Sequence, residues 1–233
     1  GYGYQVKVSE YIEDFSLCEN YINDVSANDL ESILEELSSN SDSLLQMNNN
    51  IVSLQEENDS LQDSIEFLNS LPIYEVGDMA EGGIVFYIDE TGQHGLVSTQ
   101  DDLEGTYEWG CYMEQVNGSD SQWIGSGLQN TLDIIGQGCQ SENGGITAAQ
   151  AAFDFNVAGY SDWYLPSQAE LYQMCITIGH GSPSGNIGGF SGDFYWSSSE
   201  NDNVDARPVE ILHGISIFYK KYYTFSVRPI RSF

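Results

Sequence analysis

From Leu30 to Leu68 apolar side chains return at intervals of three and four residues: Leu30, Ile33, Leu37, Leu44, Met47, Ile51, Leu54, Leu61, Ile65 and Leu68, with Asn40 and Asn58 in the same frame. That spacing lines one seam of an α-helix. The flanking positions are mostly Asn, Gln, Ser, Asp and Glu, which leaves a stripe narrower than that of a helix lying on a core. The pattern predicts a self-associating coiled coil over residues 30–71, a stalk on the order of 60 Å at 1.5 Å rise per residue. The run "SSNSDS" at 38–43 is its weak point, where two shorter helices would part. Pro72 is expected to end it, because proline cannot continue the hydrogen-bond ladder. Isoleucine at a positions 51 and 65, leucine at d and Asn58 at a lean toward two strands.

After residue 72 the periodicity changes, and residues 72–233 read as one globular head. "GGIVFYID" (82–89) predicts a buried strand, "TGQHG" a hairpin turn and "LVST" the returning strand. Helices are expected over about Leu128 to Ile135, stopped by Gly136, and from Thr147, where Gln150 would complete a capping box, to near Gly159. A third starts at Ser167. The segments "FYWSSSE", "RPVEIL", "GISIFY" and "YTFSVRPI" predict strands, making the head α+β. Residues 1–29 form a segment of uncertain structure in which "YQVKV" alternates like a strand.

Charge narrows the partners. Acidic residues outnumber basic ones 36 to 6, a formal net charge of −30, so nucleic acid or an anionic membrane surface would be repelled. No apolar run approaches the ~20 residues that cross a bilayer, so membrane insertion is not expected. The chain opens at Gly1 without a charged and then apolar leader, so a secretion signal is either removed or absent. Of the four cysteines, Cys111 and Cys139 share Gly-rich contexts, "WGCY" and "GQGCQ", and are predicted to form a disulfide. Cys175 falls at helical spacing with Leu171, Met174 and Ile178, as a buried thiol would, and Cys18 is left over.

In "GYSDWYLPSQAELYQM" (159–174), Ser167 and Glu170 stand three apart after a proline, the spacing of a capping box. The box accounts for both polar groups without chemistry, so the stretch reads as a structural staple that buries Trp163, Tyr164 and Leu165.

That stretch, with "YEVGDMAEGGIVFYIDETGQHGLV", "WGC", "IGSGLQNT", "AA", "YWSSSE" and "VRPIRSF", resembles the C-terminal domain family of the Legionella collagen-like adhesin across nearly all of residues 74–233. The family is similar in turn to the formylglycine-generating-enzyme type of C-type-lectin-like fold. The resemblance implies a twisted antiparallel sheet with flanking helices and adjacent head termini. It implies binding rather than turnover, since no cysteine follows Cys175 to supply the paired cysteines of that oxidase. It also implies an extracellular place, on a virion or a bacterial cell surface, and by analogy a trimer in preference to a dimer.

In lectin-like folds the late loops carry the ligand face. Here they would present Glu200, Asn201, Asp202, Asn203, Asp205, His213, Tyr219, Lys220, Lys221, Tyr222 and Tyr223. Glu200, Asp202, Asn203 and Asp205 supply oxygens for a candidate calcium site, although they do not fit the twelve-residue calcium loop; no cofactor is otherwise required. Five of the six basic residues fall between Arg207 and Arg231, and Lys220 and Lys221 stand among tyrosines, a combination suited to an acidic glycan. Arg228 and Arg231 read instead as partners in buried ion pairs. His94, His180 and His213 lie in no nucleophile motif, and no carboxylate pair is singled out by spacing. The expectation is a non-enzymatic adhesion or receptor-binding protein, a phage tail-fibre or bacterial surface component that recognises a cell-surface glycan or protein. The alternative is a structural subunit of a virion or surface filament whose heads mediate assembly.

Overall fold

A computed structural model describes residues 26–71 and 73–233. The expected strand at "YQVKV", the leftover Cys18 and the helix-ending Pro72 lie outside the described residues.

The periodic segment is one α-helix, α1 (Ala27–Ser70, 44 residues). It starts three residues before the first seam leucine, because Ser26 and Asp29 cap it reciprocally: the Asp29 amide donates to Ser26 Oγ at 3.2 Å and the Ser26 amide to Asp29 Oδ2 at 3.0 Å. The expected break at residues 38–43 is absent. Ser43 Oγ donates to the Ser39 carbonyl at 2.9 Å, so its hydroxyl is satisfied within the helix and does not compete with the ladder. No residue of α1 is buried, and its apolar seam positions are 49–64% exposed.

The second unit, Leu71–Phe233, is α+β with several antiparallel sheets. Its main sheet has the order β1 (Met79–Ala80), β2 (Gly83–Ile88), β3 (Gly95–Ser98), β11 (Ile230–Ser232), so the last strand returns beside the first hairpin. Tyr74 and Phe233 meet edge to face with ring centroids 4.8 Å apart, bringing the two ends of the unit together. β2 is apolar throughout because both its faces are covered. Ile84 and Phe86 pack with Leu171, Met174 and Ile178 of one cluster, and Val85 packs with Val97 and Trp163 of another.

Three helices follow in this unit: α2 (Gly127–Gln137), α3 (Ala148–Phe153) and α4 (Gln168–Thr177). Gly136 does not stop α2; Gly138 does, in the left-handed conformation at φ 78°. At α3 the Thr147 side chain accepts the Gln150 amide, but the Gln150 side chain reaches forward to Asp154 at 2.8 Å, so the predicted box is half formed. That helix ends at Phe153, well short of Gly159. At α4 the Ser167–Glu170 box is complete, and Trp163, Tyr164 and Leu165 are buried as expected.

The late strands are shorter than predicted: β5 (Phe194–Tyr195), β6 (Asp205–Ala206), β7 (Val209–Glu210), β8 (Ile215–Ser216), β9 (Tyr219–Lys220) and β10 (Thr224–Phe225) have two residues each, like β4 (Tyr107–Glu108). In "FYWSSSE" the ladder stops after Tyr195, because buried serines then tie segments together by their hydroxyls. Ser197 Oγ donates to the Arg207 carbonyl, Ser198 Oγ to that of Pro166 and Ser199 Oγ to that of Ser121.

The disulfide Cys111–Cys139 is present, closing a separation of 28 residues. Cys175 is a buried free thiol that donates to the Ile211 carbonyl at 3.0 Å, and burial pushes its pKa up.

Candidate recognition surfaces

The basic residues of the late loops are each engaged by other residues of the protein, some buried and some at its surface. Lys221, expected on the ligand face, is fully buried and donates to Glu200 and to the carbonyls of Cys111 (3.3 Å) and Glu114 (2.8 Å), with its ammonium 4.7 Å from the Trp109 ring centroid. Burial pushes its pKa down, against the pull of Glu200. Glu200 is itself buried and also accepts the Val116 amide at 2.9 Å, so this pair is a structural tie and not a ligand contact.

Lys220 pairs with Asp205 at 3.2 Å. Arg207 donates to Asn201 at 2.8 Å and stacks over Phe218 at 4.7 Å. Arg228 pairs with Asp102 at 2.6 Å and Arg231 with Asp162 at 2.8 Å, as the sequence implied for both. Of the local positive charge that suggested an acidic glycan, Lys220, Lys221, Arg228 and Arg231 are thus each paired with a carboxylate, and Arg207 is held by Asn201 and Phe218.

The candidate calcium set is likewise committed. Asp202 accepts the amides of Val204 and Asp205, both at 2.8 Å, which lowers its pKa, and it also accepts from Asn201 at 3.0 Å. Asp205 faces Lys220 and Glu200 faces Lys221, while Asn203 is exposed. Among the described residues no group of three or more His, Cys, Asp and Glu is arranged to hold a metal ion. Asp202, through the Val204 and Asp205 amides, closes an Asx-type turn in this loop. His213 is exposed and lies 2.9 Å from Glu210.

What these loops do present is aromatic. Phe218 is 56%, Tyr223 46% and Tyr222 38% exposed. Tyr222 packs against Tyr112 at 4.8 Å and Tyr223 at 5.0 Å, and Tyr223 reaches Tyr219 at 5.7 Å. Beneath them Tyr219, Phe194, Phe225 and Trp196 form a continuous ring cluster. The buried Lys221 sits between Lys220 and Tyr222 in sequence, so its three bonds fix the backbone from which Tyr222 and Tyr223 project.

A second feature was missed in the sequence: an open cleft of about 720 Å³ between the 120–123 loop, the start of α4 and the β7–β8 hairpin. Trp123 and Tyr172 stand in its wall, 77% and 47% exposed, with Asp120, Gln122, Gln168 and Ser216 as polar lining. The loop is held by consecutive carbonyls. Ser121 accepts from Asn130 and Ser199, both at 2.7 Å, Gln122 from the Ala169 amide at 3.0 Å, and Trp123 from Ser167 Oγ at 2.8 Å and Ser126 Oγ at 2.7 Å.

Glu170, whose pKa burial raises, accepts the amides of Ser167 and, at 2.7 Å, of Gly125. A β-carbon at Gly127 would collide with that carboxylate, so glycine is required there. The capping box is thus also the clamp that holds the Trp123 loop. The available signal was local: "SQWIGSG" places a tryptophan among polar residues and glycine, outside any apolar period.

No protein-family model and no curated protein matches the chain, so the resemblance to the adhesin domain rests on its motifs alone.

Proposed function

We propose that this protein is a non-enzymatic recognition module: a lectin-like head joined to a self-associating helix, acting in adhesion or receptor binding as part of a phage tail fibre or bacterial surface. The observation that carries the reading is the exposed tyrosine cluster of residues 112, 222 and 223, projected from a backbone fixed by a buried ion pair. Rigid amphipathic aromatics provide contact area at low entropic cost, which suits a surface that binds and does not react. The apolar seam of α1, exposed along its whole length in one chain, supports self-association, and several copies of a weak site gain avidity. The disulfide suits an oxidising, extracellular setting. No helix among the described residues is long and apolar enough to cross a membrane.

The test is binding of the labelled full chain to a panel of intact bacterial and animal cells, beside the Tyr222→Ala/Tyr223→Ala variant. Saturable binding that falls at least tenfold in the variant is expected. Absence of cell binding, with heads that instead assemble into filaments, would replace this reading with that of a structural subunit.

A further inference from the structure

Trp109, Trp163 and Trp196 are buried, and each donates its indole N–H to a carbonyl, of Ser197, Tyr160 and Tyr107 respectively. Trp123 departs from this rule on both counts: its side chain is exposed, and no partner for its indole N–H exists among the described residues. Exposure of this kind usually accompanies a mobile loop. Here the backbone beneath it is fixed by the bonds of Ser121, Gln122 and Trp123 carbonyls and by the Glu170 clamp. A rigid backbone presenting an apolar ring with a free donor, at a cleft of small-molecule size, is a preorganised recognition element.

The lining chooses the ligand chemistry. Among the described residues no lysine, arginine or histidine lines the cleft, and Asp120 would repel an anion. For a cation the cleft offers one carboxylate, Asp120, whereas neutral hydrogen-bonding groups of Ser121, Gln122, Gln168 and Ser216 make up most of its polar lining. Two exposed aromatic side chains among Gln122, Gln168 and Ser216 suit a flat ligand that is apolar on its faces and hydroxylated at its edges.

We infer that the Trp123–Tyr172 cleft binds an uncharged saccharide, with Trp123 stacking on a sugar ring and the amide and hydroxyl side chains reading its hydroxyls. The inference rests on the recognition role proposed above but uses none of the same residues. It is tested on the full chain with an array holding uncharged, sialylated and sulfated oligosaccharides, and with choline as a cationic probe. Wild type, Trp123→Ala, Tyr172→Ala and Tyr222→Ala/Tyr223→Ala are compared.

The expected result is binding to at least one uncharged oligosaccharide, reduced at least tenfold by Trp123→Ala and by Tyr172→Ala. Because Trp123 is the exposed tryptophan, the same sugar shifts the emission to the blue in wild type and not in Trp123→Ala. Binding of no uncharged oligosaccharide, preference for the anionic sugars or choline, or full retention of binding in Trp123→Ala would overturn it. Cell binding lost with the tyrosines but indifferent to Trp123 would leave the recognition role standing and remove the cleft from it.

Discussion

Lys221 and Glu200 lie against each other with no solvent on either side chain. Removing one partner strands the other charge, so Lys221→Met should cost about 3–5 kcal/mol in denaturant unfolding, with Glu200→Met/Lys221→Met recovering much of it. A double variant as unstable as the single one would show that the lysine acts through its carbonyl bonds instead. Asp162 illustrates a milder pairing: Arg231 lowers its pKa below 3.8. A lowered folded-state pKa stabilises above the unfolded value, and that contribution is lost as pH falls through the folded one. The gap in unfolding midpoint between wild type and Asp162→Asn should therefore be present at pH 6 and close below pH 3.8; a gap that widens in acid would contradict this. Sequence alone distinguished Arg228 and Arg231 as internal, since they sit in an apolar strand motif. It could not distinguish Lys220 from Lys221, because β9 ends at Lys220, Lys221 lies in the turn that follows, and the partner Glu200 arrives from twenty-one residues earlier.

At the scale of elements, local signals were legible and long-range ones were not. The capping box of α4 and the helical spacing of α1 are contained in consecutive turns; the box appears as predicted, and the seam residues lie on one continuous helix. The cleft needs the 120–123 loop, α4 and the β7–β8 hairpin to converge from three parts of the chain, and no periodicity announces that. The box has a role beyond its helix: Glu170→Gln keeps an acceptor but loses the second carboxylate oxygen that holds Gly125. The expected result is a fall in the fluorescence anisotropy of Trp123 with the helix content unchanged by circular dichroism; unchanged anisotropy would contradict the clamp. The disulfide ties Cys111, whose carbonyl accepts from Lys221, to Cys139. In the chain-entropy account, Cys111→Ser/Cys139→Ser should lose roughly 3–4 kcal/mol of stability. An unchanged midpoint under reducing conditions would show the loop to be held by its other bonds.

For the whole molecule, the division between a periodic helix and an α+β unit was readable from the change in hydrophobic pattern near residue 72, and the units part between Ser70 and Leu71. The net charge of −30 argued against nucleic acid and an anionic membrane surface, but it also made the late basic residues look available, when four of the five face an internal carboxylate and Arg207 donates to Asn201. We propose that α1 gathers several recognition heads through its seam. The direct measurement is the solution mass of the full chain by light scattering, beside a variant with Leu44, Ile51, Leu54 and Ile65 all changed to Asn. The expected mass of wild type is two or three times 25.8 kDa, and the variant should fall to the single-chain value and lose its avidity for cells. A wild-type chain of 25.8 kDa at micromolar concentration would contradict the account.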